Sequence, residues 1–499
     1  MARLAYDYRV AFAKDVVIDM VCYRRHGHNE GDDPSFTQPL MYQRIAERRS
    51  VRKLYVESLV KRGHITLEEA EESLTDFSKK LQAALEETRS LTEGKARRAA
   101  RRPPKSRGVL PHVPTGVDRE TLDRVFSALD TPPEGFEIHP RLAKQFEARR
   151  KVYEQGELDW ASAEALAFGS ILLEGTPVRF TGQDSRRGTF SQRHAVLIDP
   201  RTGAEHIPLA TLDPSQGKFF IYDSLLSEYA AVGFEYGYSV MRKDALVCWE
   251  AQFGDFVNGA QIIIDQFLSS AEDKWGQTSG LVLLLPHGYD GQGPEHSSAR
   301  LERFLTLCAE DNMQVVNATT AAQYFHLLRR QIVRDVRKPL VVATPKYLLR
   351  AREARSQVDT LTTGSFEEVL DDATVQDPAT VQRVVLCSGK VAYDVMKRRN
   401  ETNAPVAVVR VEQLYPFPHD AIAAVLERYG NASSLVWAQE EPENMGPWPF
   451  VQGRLLSTVS DRFKMSHVSR HESGSPAVGS ATVHAQELED LLDATFEGL

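Results

Sequence analysis

LVLLLPHGYDGQGPEHSSARLERF, residues 281–304, decides the fold class. Its first six residues are apolar almost without a break, as in a strand covered on both faces rather than one with a wet side. Pro286 ends the run, Gly288, Gly291 and Gly293 open a loop, and a helical pattern begins near Ser297 and Ser298. Strand, loop and helix in that order form the repeating unit of layered α/β proteins. Similar runs recur as VVIDMVCY at 16–23, ALVCW at 245–249, LVVATP at 340–345, VVLCSG at 384–389, VAVVRV at 406–411 and SLVWAQ at 434–439. Helical pattern fills the gaps, for example SARLERFLTLCAE from Ser298 to Glu310. The expectation is an α/β protein of doubly wound parallel sheets.

The whole composition agrees. At roughly 100–200 residues per domain, 499 residues imply about three domains. Hydrophobic content of 42% and charged content of 26% are ordinary globular values and exclude disordered, collagen-like and coiled-coil classes. Sixty basic against 69 acidic side chains argue against a dedicated nucleic-acid binder. No uncharged apolar run approaches the roughly 18 residues of a membrane span, and MARLAYDYRVAFAKDVVID is too charged for a signal peptide. Cys22, Cys248, Cys308 and Cys387 lie too far apart for a CxxC pair, so a reducing, cytoplasmic setting is expected. The segment ETRSLTEGKARRAARRPPKSRGVLPHVP, ending at Pro114, is basic and poor in apolar residues, a solvated linker or a docking arm. Before it lie one expected strand and helices such as LYVESLVKRG, too little for a sheet alone.

Five segments hold residues suited to chemistry. YRRHGHNEGDDPSF at 23–36 carries His26 and His28, which read as a polar turn, as part of a chelate, or as histidines serving an anionic substrate or shuttling protons. RFTGQDSRRGTFSQRHAVL at 179–197 offers Arg193 and His194 among arginines suited to carboxylates or to ion pairs. YDSLLSEYAAVGFEYGYS at 222–239 sets Glu228 in an apolar stretch that Asp223 or Ser224 can cap, where a buried carboxylate needs a partner. WEAQFGDFVNGAQIIIDQF at 249–267 places Phe253 and Phe256 between polar Gln252, Asp255 and Asn258, as core or as a platform for a flat ring. His287 and His296 bracket the glycine-rich loop ahead of the helix start, which is not a phosphate-loop fingerprint.

In order, HGHNEGDDPSFTQP, DSRRGTFSQRHAV, LSEYAAVGFEYGYS, WEAQFGDFVNGAQ, PHGYDGQGPEHSSAR, YFHLLRRQ, RKPLVVATPK and SPAVGSATVHAQE resemble the first, decarboxylating component of 2-oxoglutarate dehydrogenase complexes. The actinobacterial multifunctional 2-oxoglutarate enzymes are similar. The resemblance implies a transketolase-like fold binding thiamine diphosphate and Mg²⁺ in a homodimer of the tricarboxylic acid cycle. Residues 1–80 would be the C-terminal remnant of the diphosphate-binding domain, 81–135 a basic connector, 136–370 the pyrimidine-binding domain and 371–499 a C-terminal α/β domain. The GDG-like metal motif of the family is not in the sequence, so the chain resembles a C-terminal fragment, inactive alone, with no metal ligands of its own. By resemblance Glu228 activates the cofactor, Phe253 and Phe256 lie along its pyrimidine ring with Gln252 nearby, and His296 serves the substrate. His26 and His28 match the loop that closes over the site, while His194 and His287 are candidate pocket walls. The implied reaction is oxidative decarboxylation of 2-oxoglutarate with succinyl transfer to the lipoyl domain of dihydrolipoyl succinyltransferase. A 2-oxoadipate enzyme, a non-oxidative decarboxylase and an inactive assembly fragment are the alternatives; nucleic-acid and membrane partners are not expected.

Overall fold

The computed structural model describes residues 1–29, 31–99, 110–459 and 462–499, without the side chains of 91–99. It forms two compact units, Met1–Pro103 and Pro104–Leu499. Of the connector expected over 81–135, residues 100–109 lie outside the described residues.

The first unit consists of helices Ala2–Phe12, Pro39–Glu47, Val51–Lys61 and Leu67–Ala99. Their starts are legible chemistry. Ser50 caps the third helix by accepting from the Lys53 amide, and Thr66 and Glu69 exchange reciprocal bonds of 2.7 and 3.2 Å ahead of the fourth. VVIDMVCY at 16–23 is not a strand. No ladder forms on it, and Val17 and Val21 are 91% and 93% exposed. An apolar run shows what a segment would bury, but a strand also needs a neighbour for its backbone donors and acceptors.

The second unit is built on two sheets. A seven-stranded sheet runs, edge to edge, Gln413–Tyr415, Gln314–Val316, Leu340–Thr344, Val282–Pro286, Leu246–Glu250, Val178–Gly182 and Phe219–Asp223. All pairings in it are parallel except the first, where Gln413–Tyr415 runs antiparallel to Gln314–Val316. A five-stranded sheet runs Val369–Leu370, Val406–Val411, Arg383–Cys387, Ser434–Pro442 and Lys464–Arg470, parallel beyond its antiparallel first strand. The expected strands near 245, 281, 340, 384, 406 and 434 are all present, and the doubly wound reading holds for this unit. In the central strands Leu246–Glu250 and Val282–Pro286 every residue is buried, which is why their sequences lack a polar alternation.

Helices Arg119–Asp130, Trp160–Leu173 and Ala321–Val333 contribute to one apolar cluster with the large sheet; Glu228–Met241 contributes to another, which extends into the five-stranded sheet. Two helix starts differ from expectation. The pattern from Ser298 to Glu310 is helical only over Leu301–Leu307, because the Ser297 and Ser298 amides bond Asp255 and Arg300 turns left-handed at φ 55°. The helix after Tyr222 begins at Glu228, with Ser227 at its cap position. Asp223 and Ser224 do not cap it: Asp223 accepts from the Arg186 amide and Ser224 from the Leu226 amide.

Candidate active site

The carboxyl ends of parallel strands are where α/β sheets present ligand-binding loops. There, after Leu246–Glu250, the chain makes a tight turn over Gly254–Ala260. Gly254 lets the turn approach the neighbouring strand: a Cβ on it would stand 2.6 Å from the Pro286 carbonyl oxygen and from the Ala299 Cβ. The start of the turn presents Phe253 and Phe256 to His296. The imidazole lies edge-on to both rings, with centroids at 4.5 and 5.9 Å, and Phe190 closes on Phe253 at 5.5 Å. Toward the end of the turn, Gly259 faces Glu228, whose Cβ and Oε2 would lie 3.5 Å from a Cβ placed there. One short turn therefore touches Glu228 at one end and His296 at the other.

Glu228 is the first residue of its helix and is half-buried, with Oε1 accepting from Gln183 Nε2 at 3.2 Å. The burial expected for it belongs instead to Glu235, 3% exposed and held by the Arg179 guanidinium through bonds of 2.7 and 2.9 Å. Gln252 donates to Asp184 at 3.1 Å.

His287 is 5% exposed. Its Nδ1 accepts from the Ala299 amide at 3.1 Å, which leaves Nε2 to donate to Glu441 at 3.1 Å. Burial opposes charge on this ring, but the hydrogen bond and charge of Glu441 outweigh it and raise its pKa above the ordinary value. His194 sits at φ 49°, bonds the Ser191 carbonyl at 3.0 Å and stands edge-on to Phe146; burial lowers its pKa. Next to it Arg193 is enclosed by Glu164 and Glu250. His26 and His28 are exposed in the first unit, where the His28 amide donates to Asp32 and its ring meets Arg24.

The structure adds groups the motif reading passed over. Asp255, noted only as a polar neighbour of the phenylalanines, accepts from Ser297 and Ser298; burial raises its pKa, and its Oδ2 is buried with no partner among the described residues. Lys346, buried beyond the strand Leu340–Thr344, reaches the glycine-rich loop. Its position just past a buried strand was the available signal. Glu440 and Glu441 lie fully within the strand Ser434–Pro442, where two acids inside an apolar run were the signal. Among the described residues, no group of three or more His, Cys, Asp or Glu side chains could hold a metal ion.

Comparison with known proteins covers most of the chain. Residues 156–352 match the transketolase pyrimidine-binding domain, 355–496 the 2-oxoglutarate dehydrogenase C-terminal domain and 1–96 the dehydrogenase E1 component. The multifunctional 2-oxoglutarate metabolism enzyme of Mycobacterium sp. (strain JLS) is 48% identical over 512 residues, which take in 99% of this chain and 40% of that protein. The 2-oxoglutarate dehydrogenase E1/E2 component of Corynebacterium glutamicum is 48% identical over 503 residues, or 100% and 41% of the two chains. The chain thus spans about 40% of the length of these curated relatives.

Proposed function

The chain belongs to the family of 2-oxoglutarate dehydrogenase E1 components, with a thiamine-diphosphate transketolase-like fold, and from that premise we propose that it serves the oxidative decarboxylation of 2-oxoglutarate. In this reading thiamine diphosphate is the cofactor and the succinyl product passes to a lipoyl domain of dihydrolipoyl succinyltransferase. The observation that carries the proposal is the turn Gly254–Ala260, which meets Glu228 through Gly259 while its flanking Phe253 and its own Phe256 meet His296.

A flat heterocycle suits these residues. Two phenyl rings offer apolar surface, a half-buried carboxylate offers a hydrogen bond, and Gly259 leaves room beside it. When bound, thiamine diphosphate supplies a carbon nucleophile and an electron sink. Gln183 already occupies Oε1 of Glu228, so Oε2 is the oxygen that would hold a proton toward a ring nitrogen. Phe253 and Phe256 would orient the ring and exclude water, with Gln252 at its margin. His296 would donate to the substrate oxo group or move its proton. His26 and His28 are the catalytic candidates of the first unit, His194 would stand as a pocket wall and His287 behind the glycine-rich loop. Mg²⁺ on the diphosphate and a cytoplasmic setting complete the reading. The domain scheme we propose assigns 1–80 to the diphosphate side, 81–135 to the connector, 136–370 to the pyrimidine and 371–499 to the C-terminal domain, with the connector's helix Arg119–Asp130 packed into the core of the second unit.

A homodimer is part of the same proposal. Tyr222, Leu225, Leu226, Tyr229 and Phe234 are exposed around the start of the Glu228 helix, and apolar surface of this kind marks interaction faces.

The test is carbon dioxide release from 2-oxoglutarate, in the presence of thiamine diphosphate and Mg²⁺, by this sequence carried within a chain of its relatives' full length. Glu228→Ala is expected to lower it about 10²–10⁴-fold. Full activity in that variant, or no calorimetric binding of the cofactor by the full-length parent, overturns the proposal.

A further inference from the structure

We infer that Asp255 and Lys346 are positioning residues that grip the peptide after His296 from its two ends and so fix where the imidazole stands. Lys346 Nζ donates to the His296 carbonyl at 2.6 Å. The Ser297 amide, the other end of the same peptide unit, donates to Asp255 Oδ1 at 3.3 Å, and the Ser298 amide donates to the same oxygen at 3.1 Å. A cation at the oxygen and an anion at the N–H both act along the peptide dipole in its favourable sense, and charge-assisted bonds of this kind are the stronger ones.

The two grips come from different elements. Lys346 follows the strand Leu340–Thr344 and is 7% exposed; it also donates to Gln292 Oε1 at 2.9 Å in the same loop and faces Asp290 at 3.6 Å. Asp255 comes from the turn whose phenylalanines meet the His296 ring. Its Oδ2 has no partner among the described residues, so its hydrogen bonds go to the two loop amides. The loop needs such fastening: Gly288, Gly291 and Gly293 all have positive φ, so its own backbone is permissive. The importance of the grip for turnover rests on the reading of His296 as the substrate-side group.

The test is NMR of the full chain labelled at its histidine rings, with the His296 signal identified by its loss in His296→Gln. Asp255→Ala and Lys346→Met are each expected to shift or broaden that signal, and Asp255→Asn and Lys346→Arg to restore it in part. In turnover, Asp255→Ala and Lys346→Met are expected to lower kcat about 100-fold with KM little changed, the cost of misplacing a group near the chemistry. An unmoved His296 signal in both variants overturns the inference, even if decarboxylation falls. A full-length parent that decarboxylates nothing sinks the functional reading and leaves the NMR outcome to decide the grip. Should Asp255→Ala or Lys346→Met fail to fold, amide exchange in Asp255→Asn decides: faster exchange at Ser297 and Ser298 supports the grip, and unchanged protection overturns it.

Discussion

Arg193 stands between two buried carboxylates, with Glu164 at 2.5 Å and Glu250 closer still, and the Tyr324 hydroxyl donates to Glu164 at 2.8 Å. Burial works against the charge of Arg193, yet the two acids outweigh it and hold its pKa above the ordinary arginine value. Removing the cation strands two anions away from water. Arg193→Met should therefore cost about 3–5 kcal/mol, the usual penalty for breaking a buried pair, read as a lower urea midpoint. Arg193→Lys should recover little of it, because a point charge cannot fork between both acids. Glu440 poses a different electrostatic problem. Its burial, only partly offset by Lys390, pushes the carboxyl from 4.5 up to about 7. Between those values the folded chain keeps a proton that the unfolded chain has lost. The associated stability is complete below about pH 4.5 and drains away as pH rises to about 7. Glu440→Gln should flatten that slope, measurable by urea unfolding at several pH values.

The turn Gly254–Ala260 is the element on which the site depends, and Gly254 is its tightest point. Gly254→Ala would drive a methyl into the Pro286 carbonyl and Ala299, an overpacking cost of about 1–3 kcal/mol. The same shift should loosen His296 from Phe253, detectable as a changed histidine ring signal. Elements of this kind divide what sequence can and cannot tell. The strands Leu246–Glu250 and Val282–Pro286 were legible because burial on both faces writes itself as an unbroken apolar run. VVIDMVCY has the same composition without the strand, since pairing is a property of neighbours. Phe253, Phe256, Glu228 and His296 were picked out by motif, but their meeting on one turn depends on a glycine contact that no periodicity records. The start of the helix at Leu301 was misjudged by three or four residues because a side chain 42 or more positions away, Asp255, takes the amides of Ser297 and Ser298.

At the scale of the molecule, the three apolar clusters of the described residues draw on Val117 and later positions only. The proposed homodimer makes its own prediction. Arg179 lies 5.1 Å from the Phe234 ring, which is 55% exposed. Phe234→Glu puts a charge on that apolar face and should shift sedimentation from dimer toward monomer without lowering the midpoint of the isolated chain.

The strand Gln413–Tyr415 follows Val406–Val411 of the five-stranded sheet by a single residue, yet completes the edge of the seven-stranded one. For anyone recombining this chain with a relative, a cut near residue 370 therefore does not separate the two sheets. A hybrid with its crossover there would mate one parent's Gln413–Tyr415 ribbon with the other parent's Gln314–Val316, and its success would turn on that one antiparallel pairing.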